Sequence, residues 1–239
     1  MATQPTIASP QAQAPPPAPA VRILAISDEV EALIYSDRIR ERFKHIDLVL
    51  SCGDLPTNYL EFIVSSLNVP LYGVRGNHDF GGSFDGIPTG SLGPGTGDLH
   101  RQLVQSNGLL IAGLEGSMEY NHGPHQYSET GMRLEIARLV PRLLLNKLRY
   151  GRYLDILVTH APPRGIHDRP DPCHTGFVAF QEFLTRFRPR YHLHGHIHVY
   201  DRQTVTRTKF ADTIVQNVYG YRELQVPIIQ PDIHAAPTR

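Results

Sequence analysis

Side chains able to hold a cation recur at the ends of short apolar runs in this chain. Asp28 follows VRILAIS, Asp54 follows LVLSCG, Asn77 and His78 follow LYGVRG, His160 follows DILVT, and His196 and His198 follow RYHLHG. Runs of that length read as strands, and the carboxyl ends of strands in an α/β sheet form the crevice where ligands bind. Five segments far apart in sequence are expected to converge there. Carboxylate oxygens, an amide oxygen and several imidazoles suit manganese, iron or zinc, rather than calcium alone or a thiolate cluster. A carboxylate bridging two ions roughly 3.5 to 4 Å apart is the centre of a two-metal hydrolytic site, and Asp54 is the candidate bridge. His192 and His194 lie within the strand before Gly195 and read as structural.

Elements that could position these residues alternate along the chain. VRILAI (21–26) is followed by a helical pattern to about Phe43, then IDLVLSC (46–52), a helix through YLEFIVSSL, and VPLYGV (69–74). A glycine-rich stretch over 81–97 is too long for an ordinary connection and is expected to lie over the site as a loop. GLLIAGL (108–114), a helix over 129–150, YLDILVTH (153–160), a helix over 177–187 and RYHLHGH follow, with QTVTRT and ADTIVQNVYG able to pair as a hairpin. The expected fold class is α/β, with two packed mixed β-sheets flanked by helices. Residues 1–20, rich in proline, alanine and glutamine, read as a disordered tail, 21–230 as the domain, and 231–239 as a shorter tail.

With GD at 53–54, GNHD at 76–79, His160 in VTH and GHIH at 195–198, the chain resembles the calcineurin-like metallophosphoesterases over about 21–220. The nearest resemblance is to small phosphodiesterase-type members, since VTHAPPRG and the short connections leave no room for a capping domain. The resemblance implies a four-layer sandwich. It implies that one ion is held by Asp28, Asp54 and His198, and the other by Asp54, Asn77, His160 and His196. It makes His78 the group that contacts phosphate or protonates the leaving oxygen, with Asp79 orienting it. The implied reaction is attack of a metal-bound hydroxide on a phosphate ester. One departure stands out: where the family has DxH, this chain reads Asp28, Glu29, Val30. One firm metal site and one weaker site are therefore expected.

Composition narrows the partners. Lysine plus arginine and aspartate plus glutamate both number 23, so no global field attracts nucleic acid, and a nuclease ranks last. Two cysteines without paired spacing, together with no secretory leader or apolar run able to span a bilayer, point to a reducing cytoplasm. Asn121, His122 and Arg164 lie in loops flanking the site and are candidates for holding a small phosphate ester. The leading function is a phosphodiesterase working with manganese, iron or zinc. A phosphomonoesterase and a non-catalytic metal-binding scaffold of the same fold are the alternatives.

Overall fold

The computed structural model describes residues 19–79 and 92–229, with the backbone of two short strands between those spans. Most of both expected tails and much of the glycine-rich stretch lie outside the described residues. The first half contains β1 (Ala20–Ser27), α1 (Ile39–Phe43), β2 (Leu48–Ser51), α2 (Thr57–Leu67), β3 (Leu71–Gly73), β4 (Ser83–Phe84), β5 (Ile87–Pro88), β6 (Thr96–Asp98), β7 (Leu103–Ser106) and β8 (Leu109–Leu114). The second contains β9 (Ser117–Met118), β10 (Gln126–Tyr127), α3 (Glu129–Tyr150), β11 (Ile156–Thr159), α4 (Val178–Phe187), β12 (Tyr191–His194), β13 (Arg207–Phe210), β14 (Thr213–Asn217) and β15 (Gly220–Pro227).

Two large sheets carry the fold, ordered β15-β1-β2-β3-β6 and β13-β14-β12-β11-β8-β7. The strands that deliver the polar residues, β1 to β3 in one sheet and β11 and β12 in the other, pair in parallel with their neighbours in that set. Side chains on successive strand residues face opposite ways, and the core obeys that period. Ile23, Ala25, Leu48 and Leu50 meet Leu109, Ile111, Ile156 and Val158 between the sheets. Leu24, Ile26 and Val49 face α1 and α2, whereas Leu110, Ala112 and Leu157 face α3 and α4. Burial on both faces explains why these strands read as continuous apolar runs. The expected four-layer arrangement is the observed one.

Helix α4 shows how the outer layers are tied. Its apolar stripe is Ala179, Phe180, Phe183, Leu184 and Phe187, and Phe177 at its N-terminus supplies no side-chain cap. The cap comes from α3, where the Glu129 carboxylate accepts the N–H groups of Val178 (3.2 Å) and Ala179 (2.6 Å). A carboxylate there satisfies two unpaired amides and complements the helix dipole.

Three expectations shift. The helix before Phe43 is only the five residues of α1, because the chain turns through 32–38. The late hairpin forms, but its first strand is Arg207–Phe210. Strand β15 is an addition to the expected elements. It is an edge strand with one solvent-facing side, so its charged residues mask the alternation, yet it pairs along the whole of β1.

A pH dependence is built into β12. His192 is fully buried. Thr159 Oγ1 donates to Ala161 O, so the Nε2–H of His192 donates to that hydroxyl at 2.7 Å, and Nδ1 has no partner among the described residues. Burial, then the nearby His167, pushes the imidazole down to about 3. The fold therefore keeps His192 neutral, whereas the unfolded chain takes up a proton below about 6.5. Its contribution is fully present above that value and lost as pH falls towards the folded one, amounting to about 2 kcal/mol at pH 5. In urea unfolding with chelator, His192→Leu should shrink the stability difference between pH 7 and pH 5. An unchanged difference would refute the assignment.

Candidate metal centre

After β2 the chain turns through Gly53 and sets Asp54 in the left-handed region, at φ 54°, which aspartate enters more readily than most residues. Asp54 Oδ1 accepts the His78 N–H at 2.9 Å, and Oδ2 lies 3.3 Å from His160 Nε2. His160 follows β11 directly and is fully buried. Its Nδ1–H donates to Cys52 O, across the junction of the sheets, at 2.8 Å. Nε2 is thereby aimed at Asn77 Oδ1 and His196 Nδ1, both at 3.1 Å, as well as at Asp54. His196 donates its Nε2–H to Cys173 O at 2.6 Å, which leaves the Nδ1 lone pair facing the same point.

The charges in this cluster are consistent with one another. Burial disfavours a charged His160, but Asp54, joined by Asp28 and the Cys52 carbonyl, outweighs it and raises the imidazole to about 9. Burial likewise raises Asp54, and the charge and hydrogen bond of His160 pull it down to about 2. His196 is pushed to about 3 by burial and then by the charge of His160. One proton thus sits on His160 Nε2 among a carboxylate oxygen, an amide oxygen and an imidazole nitrogen. A divalent cation suits the same four atoms, because it replaces that proton with more charge. Backbone carbonyls fix both imidazole tautomers, as hydrogen bonds behind metal ligands do. The residues fit the metal that their types suggested.

Asp28 and His198 form the less complete half. Asp28, at φ 64°, accepts the His196 N–H on both oxygens at 3.0 Å. His198 Nε2 lies 4.0 Å from Asp28 Oδ1, and its Nδ1 lies 2.8 Å from the Tyr200 hydroxyl. Val30 is exposed and offers no ligand atom. Beside it, burial and then the Glu29 carboxylate raise the Tyr219 phenol.

His78 is exposed at the mouth. Asp79 Oδ2 accepts the N–H groups of Gly76 (2.7 Å) and Asp54 (2.9 Å), so this carboxylate pins the two ligand loops together, a role the sequence did not reveal. Tyr120 also reaches the centre, its hydroxyl accepting from Asn77 Nδ2 at 3.2 Å. The candidate substrate residues Asn121, His122 and Arg164 are exposed. Asn121 Oδ1 accepts from Gln126 Nε2, His122 pairs with Glu119, and Arg164 Nε donates to Gly176 O. Each of these bonds supports a loop rather than joining the four donors. The nearby Arg75 guanidinium is held by Asp98 (2.8 Å) and Glu115 (2.9 Å).

Beside His198 lies a groove of about 400 Å³ lined by Glu29, Tyr200, Tyr219 and Arg222, among others. A larger hollow at Arg40, Lys44 and Asn68 is remote from the donor cluster and from this chemistry.

The family model described as calcineurin-like phosphoesterase matches residues 21–200. Among solved structures, the protein TT1561 of Thermus thermophilus is 12% identical with a TM-score of 0.57, covering 88% of this chain and 100% of its own. A second structure is 14% identical with a TM-score of 0.54 and the same coverage. Likeness at these identities shows the fold. No curated protein matches the chain in sequence.

Proposed function

We propose that this chain, which belongs to the calcineurin-like phosphoesterase family and is a hydrolase acting on phosphoric esters, is a phosphodiesterase for a small substrate. The observation that carries the reading is the convergence of Asp54, Asn77, His160 and His196 on one point, with His78 exposed beside it. Asp54, Asn77, His160 and His196 would hold the firmer cation, and Asp28, Asp54 and His198 the weaker one. Manganese, iron or zinc suits these donors. Bound there, the cations would supply Lewis acidity to a water nucleophile and to the phosphate oxygens.

The chain's own residues then have separable tasks. The Asp54 charge and the fixed tautomers of His160 and His196 hold the centre in one geometry. His78 gives a proton to the leaving oxygen, a step typically contributing roughly 10²-fold to 10⁴-fold. Asp79 fixes the loop that presents it. Two features favour a diester. The nearby arginines are held by chain acceptors, which suits a singly charged phosphate better than a dianion. The groove beside His198 offers aromatic walls to a second ester group.

The test is a parallel assay of bis(4-nitrophenyl) phosphate and 4-nitrophenyl phosphate in manganese. The diester should show the higher kcat/KM; the reverse order would favour a monoesterase, and absence of metal-stimulated hydrolysis of either would favour a scaffold. Val30→His tests the weaker site. It should tighten the second cation by at least about tenfold in calorimetric titration, and two equal, tight sites in the unsubstituted chain would overturn that expectation.

A cytoplasmic setting is the reading that fits two free cysteines, and no described helix is long and apolar enough to cross a membrane. The balanced charge favours a small-molecule phosphate ester over nucleic acid as the partner.

A further inference from the structure

A second group of ligand-type side chains lies in the loop between β11 and α4. Ligand atoms of Asp171, Cys173 and His174 lie within 4.8 Å of one another. Cys173 Sγ donates to Asp171 Oδ1 at 3.0 Å and is 3.2 Å from His174 Nδ1, while that nitrogen is 2.7 Å from the same carboxylate oxygen. One sulfur, one nitrogen and one oxygen thus form a small triangle, with the Asp171 side chain exposed and Cys173 and His174 half-buried.

Hydrogen bonds within the loop hold this triangle. Arg169 N donates to His174 O at 3.1 Å, His174 N donates to Asp171 Oδ1 at 3.1 Å, and Thr175 Oγ1 donates to Asp171 O at 2.8 Å. Thiolate, imidazole and carboxylate are the protein ligands of zinc, and three of them with an open position make a recognised type of zinc site. Cys52, the other cysteine, is fully buried in the core between the sheets. It plays no part in the triangle.

We propose that Asp171, Cys173 and His174 bind a thiophilic divalent cation, zinc foremost, at a site separate from the four-donor centre. Binding displaces the thiol proton to solvent as the sulfur coordinates in its thiolate form. Before that, burial and then Asp171 keep the proton on sulfur. The site adjoins the hydrolytic centre through this chain's own bonds. Cys173 O accepts the Nε2–H that orients His196, the rings of His174 and His196 are 5.2 Å apart, and Arg169 donates to His198 O at 2.8 Å. A cation on the loop therefore braces the carbonyl that fixes the His196 tautomer.

Cobalt titration of the full chain tests the site by a readout that does not depend on turnover. A thiolate-to-cobalt charge-transfer band should grow in the near ultraviolet to one equivalent and bleach when zinc is added. Cys173→Ala should lose the band and bind one equivalent fewer, with unchanged circular dichroism. Asp54→Asn should keep the band, which separates this site from the fate of the phosphodiesterase reading. Absence of the band at saturating cobalt, or a band that survives in Cys173→Ala, would overturn the proposal.

Discussion

Asp54→Asn should lower the kcat for a phosphodiester by at least about 10³-fold while the chain stays folded. Asparagine keeps the shape, tolerates the left-handed backbone at this position and still presents Oδ1 to the His78 N–H. What it removes is charge, at the carboxylate expected to serve both cations. A loss of several kcal/mol of transition-state stabilisation there corresponds to about three orders of magnitude, at about 1.36 kcal/mol per tenfold. A second readout follows from His160. With Asp54 neutral, the largest influence raising that imidazole disappears while burial continues to oppose its charge, so its pKa should fall from about 9. Steady-state kinetics, metal content and histidine NMR measure these effects. A variant within tenfold of the native rate would remove Asp54 from the centre.

Gly76→Ala should also damage activity, although it deletes no ligand. A Cβ at Gly76 would fall on the Asp54 carboxylate and come within 2.7 Å of His160 Cε1. Neither neighbour can yield easily, because Asp54 is held by the His78 N–H and His160 by the Cys52 carbonyl. Overpacking of this kind typically costs about 1–3 kcal/mol in stability. Misplacing a reacting geometry by about an ångström costs roughly 10²-fold in rate. The expected outcome is a folded chain with a modestly lowered melting temperature, weakened metal binding and a kcat down about 10²-fold. Native metal affinity in this variant would show that the close approach is unimportant.

These two substitutions also mark what the sequence could reveal. The convergence of Asp54, Asn77, His160 and His196 was legible because their types recur at strand ends. The four layers were legible because doubly buried strands leave continuous apolar runs. The glycines beside the ligands carried no such signal alone, since the need for an absent side chain appears only when a carboxylate from another loop occupies the space. Asp79 was read as a partner of His78, and its bonds to the Gly76 and Asp54 amides, like the contact of Tyr120 with Asn77, appear only once tertiary structure brings those groups close. Edge strand β15 was missed because its polar side faces water, and only its pairing with β1 makes it a strand.

The span of chain between the donors has a consequence for how the protein acquires its metal. His196 bonds Asp28 across 168 positions, and His160 bonds Asn77 across 83. No nascent fragment ending before β12 contains the whole donor set, so the main centre can be loaded only after nearly all of the domain has been synthesised. The loop at 171–174 is different, because its ligands lie within four consecutive residues. The two sites would therefore divide between long-range and local assembly: one draws its donors from strand ends of both sheets, and the other from a single turn.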